Sequence, residues 1–175
     1  EGGGLVFKDS TLNNTIKQLR QFGMQDSENV PIVGTNAKLS EMHAAMGICN
    51  LRHINEQISL RKEAVEQYFL RLGNIQGIKL SPTQKDVTPN YAYFPVLFDG
   101  YKENRDEVAQ KLANNNIYAR KYFYPLTSDF SVYQNMFRIE KTPIAKHIAE
   151  NVLCLPLYAS LTTDQVNVIC DIILK

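Results

Sequence analysis

Residues 34–41 combine side chains that could bind an anion. They read GTNAKLSE and place Asn36 and Lys38 just before a predicted helix. The free N–H groups and the positive end of a helix favour a bound anion such as phosphate. An ordinary capped helix start would use the same residue types, so both interpretations stay open.

Residues 120–125 form a second unusual segment, which reads RKYFYP and follows a predicted strand. It contains two cations and three aromatic rings, a set that can hold a phosphate and stack on a planar ring. An edge strand with aromatic packing would account for these residues equally well.

Other common chemistries leave no signal in the chain. No serine–histidine–aspartate arrangement, carboxylate pair or Walker-type loop can be recognised, and the three histidines form no metal-ligand pattern with the three cysteines. No metal is therefore expected. The cysteines lie in apolar stretches and are predicted to be reduced core residues: Cys49, Cys154 and Cys170.

The composition is that of a globular domain. The chain has 175 residues, with 19 Lys and Arg against 18 Asp and Glu, so its formal net charge is +1. This charge offers little attraction to a phosphate backbone, and nucleic acid is not an expected partner. No apolar run approaches the roughly 20 residues of a membrane span, so we expect a cytoplasmic protein with no membrane contact. The chain starts within a Gly-rich turn (EGGG) and not with Met, which predicts a fragment of a longer protein.

Apolar periodicity predicts the elements that must position these segments. Helices are predicted at residues 11–22, 39–51, 55–72, 104–112, 143–152 and 163–172. Strands are predicted at residues 4–7, 91–98, 117–120 and 153–157. Pro95 favours an edge strand or a bulge. Asp9 or Ser10 should cap the first helix, and Thr162 or Thr163 should cap the last one. Gly23 and Gly73 should end the first and third helices. From residue 72 onward the order predicts an α+β layer, a small sheet covered by helices.

In this order and spacing the segments resemble the C-terminal half of the DegT/DnrJ/EryC1/StrS sugar aminotransferases. Four matches carry the resemblance: EGGGLV at 1–6, GTNAKLSE with AAMG at 34–47, RKYFYPL at 120–126, and LPLY with LT at 155–162. The second and fourth are the specific ones, and the resemblance extends over essentially the whole chain.

The resemblance implies an α/β enzyme of the fold-type-I pyridoxal phosphate transferases, with this chain mainly its α+β C-terminal small domain. Residues 1–37 would be the tail of the large cofactor-binding domain and a crossover loop. Residues 38–175 would be bridging helices and the small domain. The implied cofactor is pyridoxal 5′-phosphate. Its Schiff-base lysine would lie upstream of Glu1, so this chain would contain no catalytic residue and would bind no cofactor alone.

The family pattern also implies roles for single residues. Asn36 matches an asparagine that reaches the cofactor phosphate of the neighbouring subunit in a homodimer. Lys38 stands where many members have arginine and would contact the diphosphate of a nucleotide sugar, without the bidentate fork of arginine. Arg120, Tyr122 and Tyr124 stand where the family lines its substrate entrance, although many members have a His–Tyr pair there.

The implied reaction transfers an amino group, from glutamate, to a keto-deoxysugar linked to a nucleotide, for cell-surface polysaccharide. A dehydratase of the same family, with histidine in place of the cofactor lysine, is an alternative. A non-catalytic dimerising fragment is another. The position that separates the two enzymes would lie upstream of Glu1, so the sequence leaves these alternatives open.

Overall fold

The computed structural model describes residues 2–133, 136 and 141–175, so Glu1 of the first matched motif lies outside the described residues. The chain divides into two compact units, Glu1–Ile54 and Asn55–Lys175. The predicted division between residues 37 and 38 follows the family pattern and not compactness, and it stays a prediction.

The first unit contains a helix near the position predicted for residues 11–22. A 3₁₀ turn, Ser10–Leu12, leads into helix α1, Asn13–Arg20. Asp9 begins this segment, because its carboxylate accepts a hydrogen bond of 2.9 Å from the backbone N–H of Thr11. The chain then turns through two residues with positive φ, Phe22 and Gly23, which confirms the predicted stop.

The strand predicted at residues 4–7 is wrong. These residues join no strand, and Leu5 and Val6 are 67% and 99% exposed. A strand exists only with a hydrogen-bonded neighbour, and the described part of the chain provides none here.

Helix α2, Glu41–Leu72, replaces the two helices predicted at 39–51 and 55–72. No glycine or proline stands between Leu51 and Asn55, so nothing there breaks the helical hydrogen bonds. The helix ends at Leu72, directly before Gly73, as predicted. Cys49 on this helix is exposed, so its prediction as a core residue is wrong, whereas Cys154 and Cys170 are buried as predicted.

The second unit contains a three-stranded antiparallel sheet in the order β1–β2–β3. The strands are β1, Ile78–Leu80; β2, Phe94–Phe98; and β3, Val152–Leu155. The short β1 was not predicted. The predicted strand at 117–120 is wrong, since only Arg120 pairs there, through an isolated bridge to Cys154.

Pro95 lies in the central strand and not in an edge strand, contrary to the sequence prediction. The pairing of β1 explains why proline is tolerated. Residues of β1 reach only to Leu80, which lies opposite Val96. Pro95 therefore has a strand neighbour only on the β3 side, where it faces Cys154.

Three helices complete the second unit: α3, Arg105–Ala113; α4, Pro143–Asn151; and α5, Thr163–Leu174. All three agree with the predicted positions. Side chains of α2, α3, α5 and the three strands form one apolar core. Tyr68 of α2 lies at its centre, stacked on Phe94 at 4.7 Å between ring centroids, and its hydroxyl donates a 3.0 Å hydrogen bond to the carbonyl of Pro156. The small sheet with helices confirms the α+β prediction.

Within the part of the chain that the structure describes, no helix has the length and apolar character needed to cross a membrane.

Candidate functional site

Arg120 and Tyr122 lie together in a cleft of the second unit. The cleft has a volume of about 350 Å³ and is bordered by residues 92–93, by residues 118, 120 and 122, and by residues 154–158. Besides Tyr122, three tyrosines border it: Tyr93, Tyr118 and Tyr158. The two predicted residues thus share one concave, aromatic surface.

Strand β3 fixes the position of Arg120. The backbone N–H of Arg120 donates to the carbonyl of Cys154 at 3.0 Å, and the N–H of Cys154 donates back to Arg120 at 2.8 Å. The Cys154 thiol is buried below, and this burial raises its pKa, although the backbone N–H of Tyr122 partly offsets the effect. The thiol is therefore neutral near pH 7 and adds no charge to the lining of the cleft.

The Arg120 guanidinium is the cation of the cleft. Its Nη1 donates to the hydroxyl of Tyr122, and its Cζ lies 5.4 Å from the centre of that ring. Tyr122 packs edge-on against Tyr93 at 5.6 Å and stacks on Phe123 at 4.9 Å. Arg120 is itself exposed, so its remaining N–H groups can reach an anionic ligand such as a phosphate.

Tyr124 does not border this cleft. Its ring lies over the guanidinium of Arg105, 4.7 Å from Cζ to the ring centre. Of the three predicted entrance residues, the structure brings Arg120 and Tyr122 together and places Tyr124 on a neighbouring surface.

Asn36 belongs to the first unit, in a segment paired with the end of α1. The backbone N–H of Ala37 donates to Arg20 at 2.9 Å, and that of Thr35 donates to Leu19 at 2.9 Å. The Asn36 side chain is exposed and makes no hydrogen bond to another described residue. Its amide group is therefore available to an external acceptor.

Two glycines allow the segment before Asn36 to lie close to the backbone that follows α1. A Cβ on Gly34 would lie 2.1 Å from the backbone N of Gly23, and one on Gly23 would lie 1.8 Å from the carbonyl of Ile32. Since neither position has room for a side chain, the backbones can approach closely only with glycine. The glycine of the GTNAKLSE motif thus sets the geometry that presents Asn36.

Asn36 and Lys38 precede the helix, as predicted, but the helix starts two residues later than the predicted start at residue 39. Helix α2 begins at Glu41, and Ser40 provides the hydroxyl that accepts the N–H of His43 at 3.3 Å. The Lys38 ammonium instead lies 4.0 Å above the ring of Phe22. The proposed phosphate contacts therefore depend on the side chains themselves and not on the helix N-terminus.

Sequence reasoning missed Tyr93 and Arg105. Tyr93 immediately precedes β2 and could have been found from the run of tyrosines at 91 and 93. Arg105 is the first residue of α3, a position where an arginine is normally exposed, so no sequence signal indicated its burial. Among the described residues, no group of three or more His, Cys, Asp or Glu side chains could hold a metal ion.

Comparison with known proteins identifies one enzyme family and relatives that cover nearly the whole chain. Residues 1–174 match the DegT/DnrJ/EryC1/StrS aminotransferase family. The chain is 38% identical, over 99% of its length, to dTDP-4-amino-4,6-dideoxy-D-glucose transaminase of Escherichia coli, and 37% identical, over 94%, to the enzyme of the same name from Shigella dysenteriae. It covers 48% and 45% of these two proteins, so the chain spans about half the length of the curated relatives it matches.

Solved structures show the same similarity. The aminotransferase TlmJ of Streptoalloteichus hindustanus superposes with a TM-score of 0.83 at 26% identity, over 95% of this chain and 45% of that one. DesI, solved in the presence of its TDP-sugar product, gives 0.84 at 27% identity, over 94% and 42%.

Proposed function

The chain belongs to the DegT/DnrJ/EryC1/StrS aminotransferase family, and from this premise we propose that it is the C-terminal part of a nucleotide-sugar transaminase. The enzyme transfers an amino group from glutamate to a keto-deoxysugar carried by a nucleoside diphosphate, for cell-surface polysaccharide. It works in the cytoplasm as a homodimer. The dTDP-sugar names of the most similar relatives support this substrate class.

The cleft around Arg120 is the observation that carries the proposal. A guanidinium matches the oxygens of a diphosphate in charge and geometry. The rings of Tyr93 and Tyr122 offer faces and edges against which a base or sugar can pack. A nucleotide sugar has both parts, a diphosphate and ring systems, and the cleft presents a partner for each.

Pyridoxal phosphate is the proposed cofactor, and it supplies the electron sink that amino-group transfer requires. The exposed amide of Asn36, which has no hydrogen-bond partner among the described residues, suits a phosphate oxygen of the cofactor in the neighbouring subunit. Lys38 adds positive charge nearby and is proposed to contact the substrate diphosphate. The Schiff-base lysine is proposed to precede Glu1.

Amino transfer run in reverse tests the proposal on the full-length gene product. We expect dTDP-4-amino-4,6-dideoxy-D-glucose and 2-oxoglutarate to yield the 4-keto sugar nucleotide and glutamate. Arg120→Gln should raise KM for the sugar nucleotide about 10-fold, because a charge-assisted contact is lost. Lys62→Gln, an exposed cation on α2, is the matched control and should leave KM unchanged.

Two results would overturn the proposal. One is the absence of glutamate with dTDP-, UDP- and GDP-linked amino sugars alike. The other is release of water from a keto sugar nucleotide without amino transfer, which would identify the dehydratase alternative.

A further inference from the structure

Arg105 is the only buried charged residue among those the structure describes, with 3% of its surface exposed. An ionised side chain is costly to bury unless the protein provides close partners. The groups around Arg105 must therefore compensate for the cost of burying its charge.

Its partners lie on two elements. Nη1 donates to the carbonyls of Ala149 at 3.2 Å and Val152 at 3.4 Å, where α4 ends and β3 begins. The C-terminal carbonyls of a helix carry partial negative charge and favour a cation. Nε lies 2.5 Å from Oδ1 of Asp106, an ion pair without hydrogen-bond geometry. The guanidinium is thus held in one orientation.

The same guanidinium lies against the segment that enters the cleft. The Tyr124 ring covers Arg105 at 4.7 Å. Asp106, the neighbour of Arg105, also binds the Lys121 ammonium at 2.7 Å. Lys121 and Tyr124 flank Tyr122, so the start of α3 contacts the segment on both sides of a cleft residue.

We propose that Arg105 is a positioning residue for nucleotide-sugar binding, an inference that rests on the proposed function. Its guanidinium holds Tyr124, and with Asp106 and Lys121 it fixes the segment that presents Arg120 and Tyr122 to the cleft. Arginine suits this role because its planar group donates hydrogen bonds in its plane while its face supports an aromatic ring. Lysine has a compact ammonium group and cannot do both.

Substitutions at Tyr124 test the contact between its ring and Arg105 without altering the apolar core. Tyr124 is half exposed, so its substitution does not disturb the core. Tyr124→Leu in the full-length enzyme should raise KM for the sugar nucleotide about 5-fold and leave kcat within about 2-fold, since cation–π contacts are worth roughly that factor. Tyr124→Phe keeps the ring and should behave as wild type. Arg105→Lys should resemble Tyr124→Leu, and combining the two should add little.

Hydrogen exchange provides a readout that does not depend on the reaction. We expect faster amide exchange across residues 120–125 in Tyr124→Leu and Arg105→Lys, with unchanged exchange in α5. Unchanged exchange at 120–125, or a Tyr124→Phe variant as impaired as Tyr124→Leu, would overturn the positioning role. A wild-type enzyme without amino transfer would instead overturn the proposed function, and the exchange result would still decide whether Arg105 holds the segment.

Discussion

Asn36 gives the sharpest test of the proposed cofactor contact at the scale of a single residue. Its amide is exposed and has no hydrogen-bond partner among the described residues, so its removal leaves nothing unpaired within the chain. In the full-length enzyme, Asn36→Ala should weaken pyridoxal phosphate binding about 10-fold, because a hydrogen bond to an anion is lost. The absorbance change on titrating the apoenzyme with cofactor measures this.

Asn36→Asp should weaken binding further, since a carboxylate repels the phosphate. Asn29→Ala, another exposed asparagine of the first unit, is the control and should titrate as wild type. Equal affinities for the three variants would remove Asn36 from the cofactor site.

Asp106 provides a pH-dependent prediction. The Lys121 ammonium, assisted by Arg105, holds the pKa of this carboxyl below its usual range. Because the folded-state pKa is the lower one, the stabilisation is complete above the unfolded-state pKa of about 4 and is lost as the pH falls through the folded-state pKa. Asp106→Asn should therefore lower the free energy of unfolding at pH 7 by less than about 1 kcal/mol, since the carboxylate is largely exposed.

Urea unfolding at pH 7 and pH 3 measures this difference, which should shrink at the lower pH. Glu63→Gln, which removes a surface carboxylate of α2 outside the ion pair, is the reference. A difference between wild type and Asp106→Asn that stays constant over this pH range would contradict the assignment.

At the scale of an element, the start of α5 decides between two threonines that the sequence left open. Thr162 forms a capping box, in which its hydroxyl accepts the N–H of Gln165 at 3.3 Å while the Gln165 side chain accepts the N–H of Thr162 at 3.0 Å. Thr162→Ala should cost about 1 kcal/mol in the free energy of unfolding. Thr163→Ala should cost less than about 0.5 kcal/mol, because surface substitutions away from caps have small effects. Urea denaturation compares the two, and equal costs would show that the cap contributes nothing.

The sequence predicted helix boundaries well where a capping residue or a glycine marks the end of the helix. Asp9, Gly23, Gly73 and Thr162 mark helix boundaries that the structure has. The errors in the strands concern pairing, which no local pattern contains. Residues 4–7 have strand-forming side chains but no neighbour, and β1 is only three residues long and depends on its partner β2.

The sequence predicted some residues of the candidate site and missed others. Arg120 and Tyr122 could be found because their segment is unusual in composition. The role of Arg105 could not, because its burial results from α4 and β3 meeting the start of α3 far along the chain. Tyr124 belongs to the same aromatic run of the sequence as Tyr122, and only the fold shows that its ring lies over Arg105.

At the scale of the molecule, the first unit is unusual because many of its large apolar side chains are exposed to solvent. Val6, Val33 and Met42 are 99%, 93% and 82% exposed. Leu39, Met46 and Cys49, on the same stretch of chain as Met42, are exposed as well. Exposed apolar surface of this kind marks an interface in soluble proteins, and the family relatives are about twice as long as this chain. We therefore expect these side chains to be covered by protein, either by another copy or by the rest of the family architecture.

This expectation predicts the behaviour of the 175-residue chain in solution. Alone, it should self-associate, because burying apolar side chains that are exposed to water lowers the free energy. Met42→Glu or Val33→Glu should shift the mass measured by light scattering toward the 19.9 kDa monomer, since a charge opposes that burial. Leu70→Glu, at a 75% exposed position of the second unit, is the matched control and should leave the association unchanged. A wild-type chain that stays monomeric at high concentration would show that the uncovered surface of the first unit does not drive association. The proposed dimer would then have to form through residues that this chain lacks.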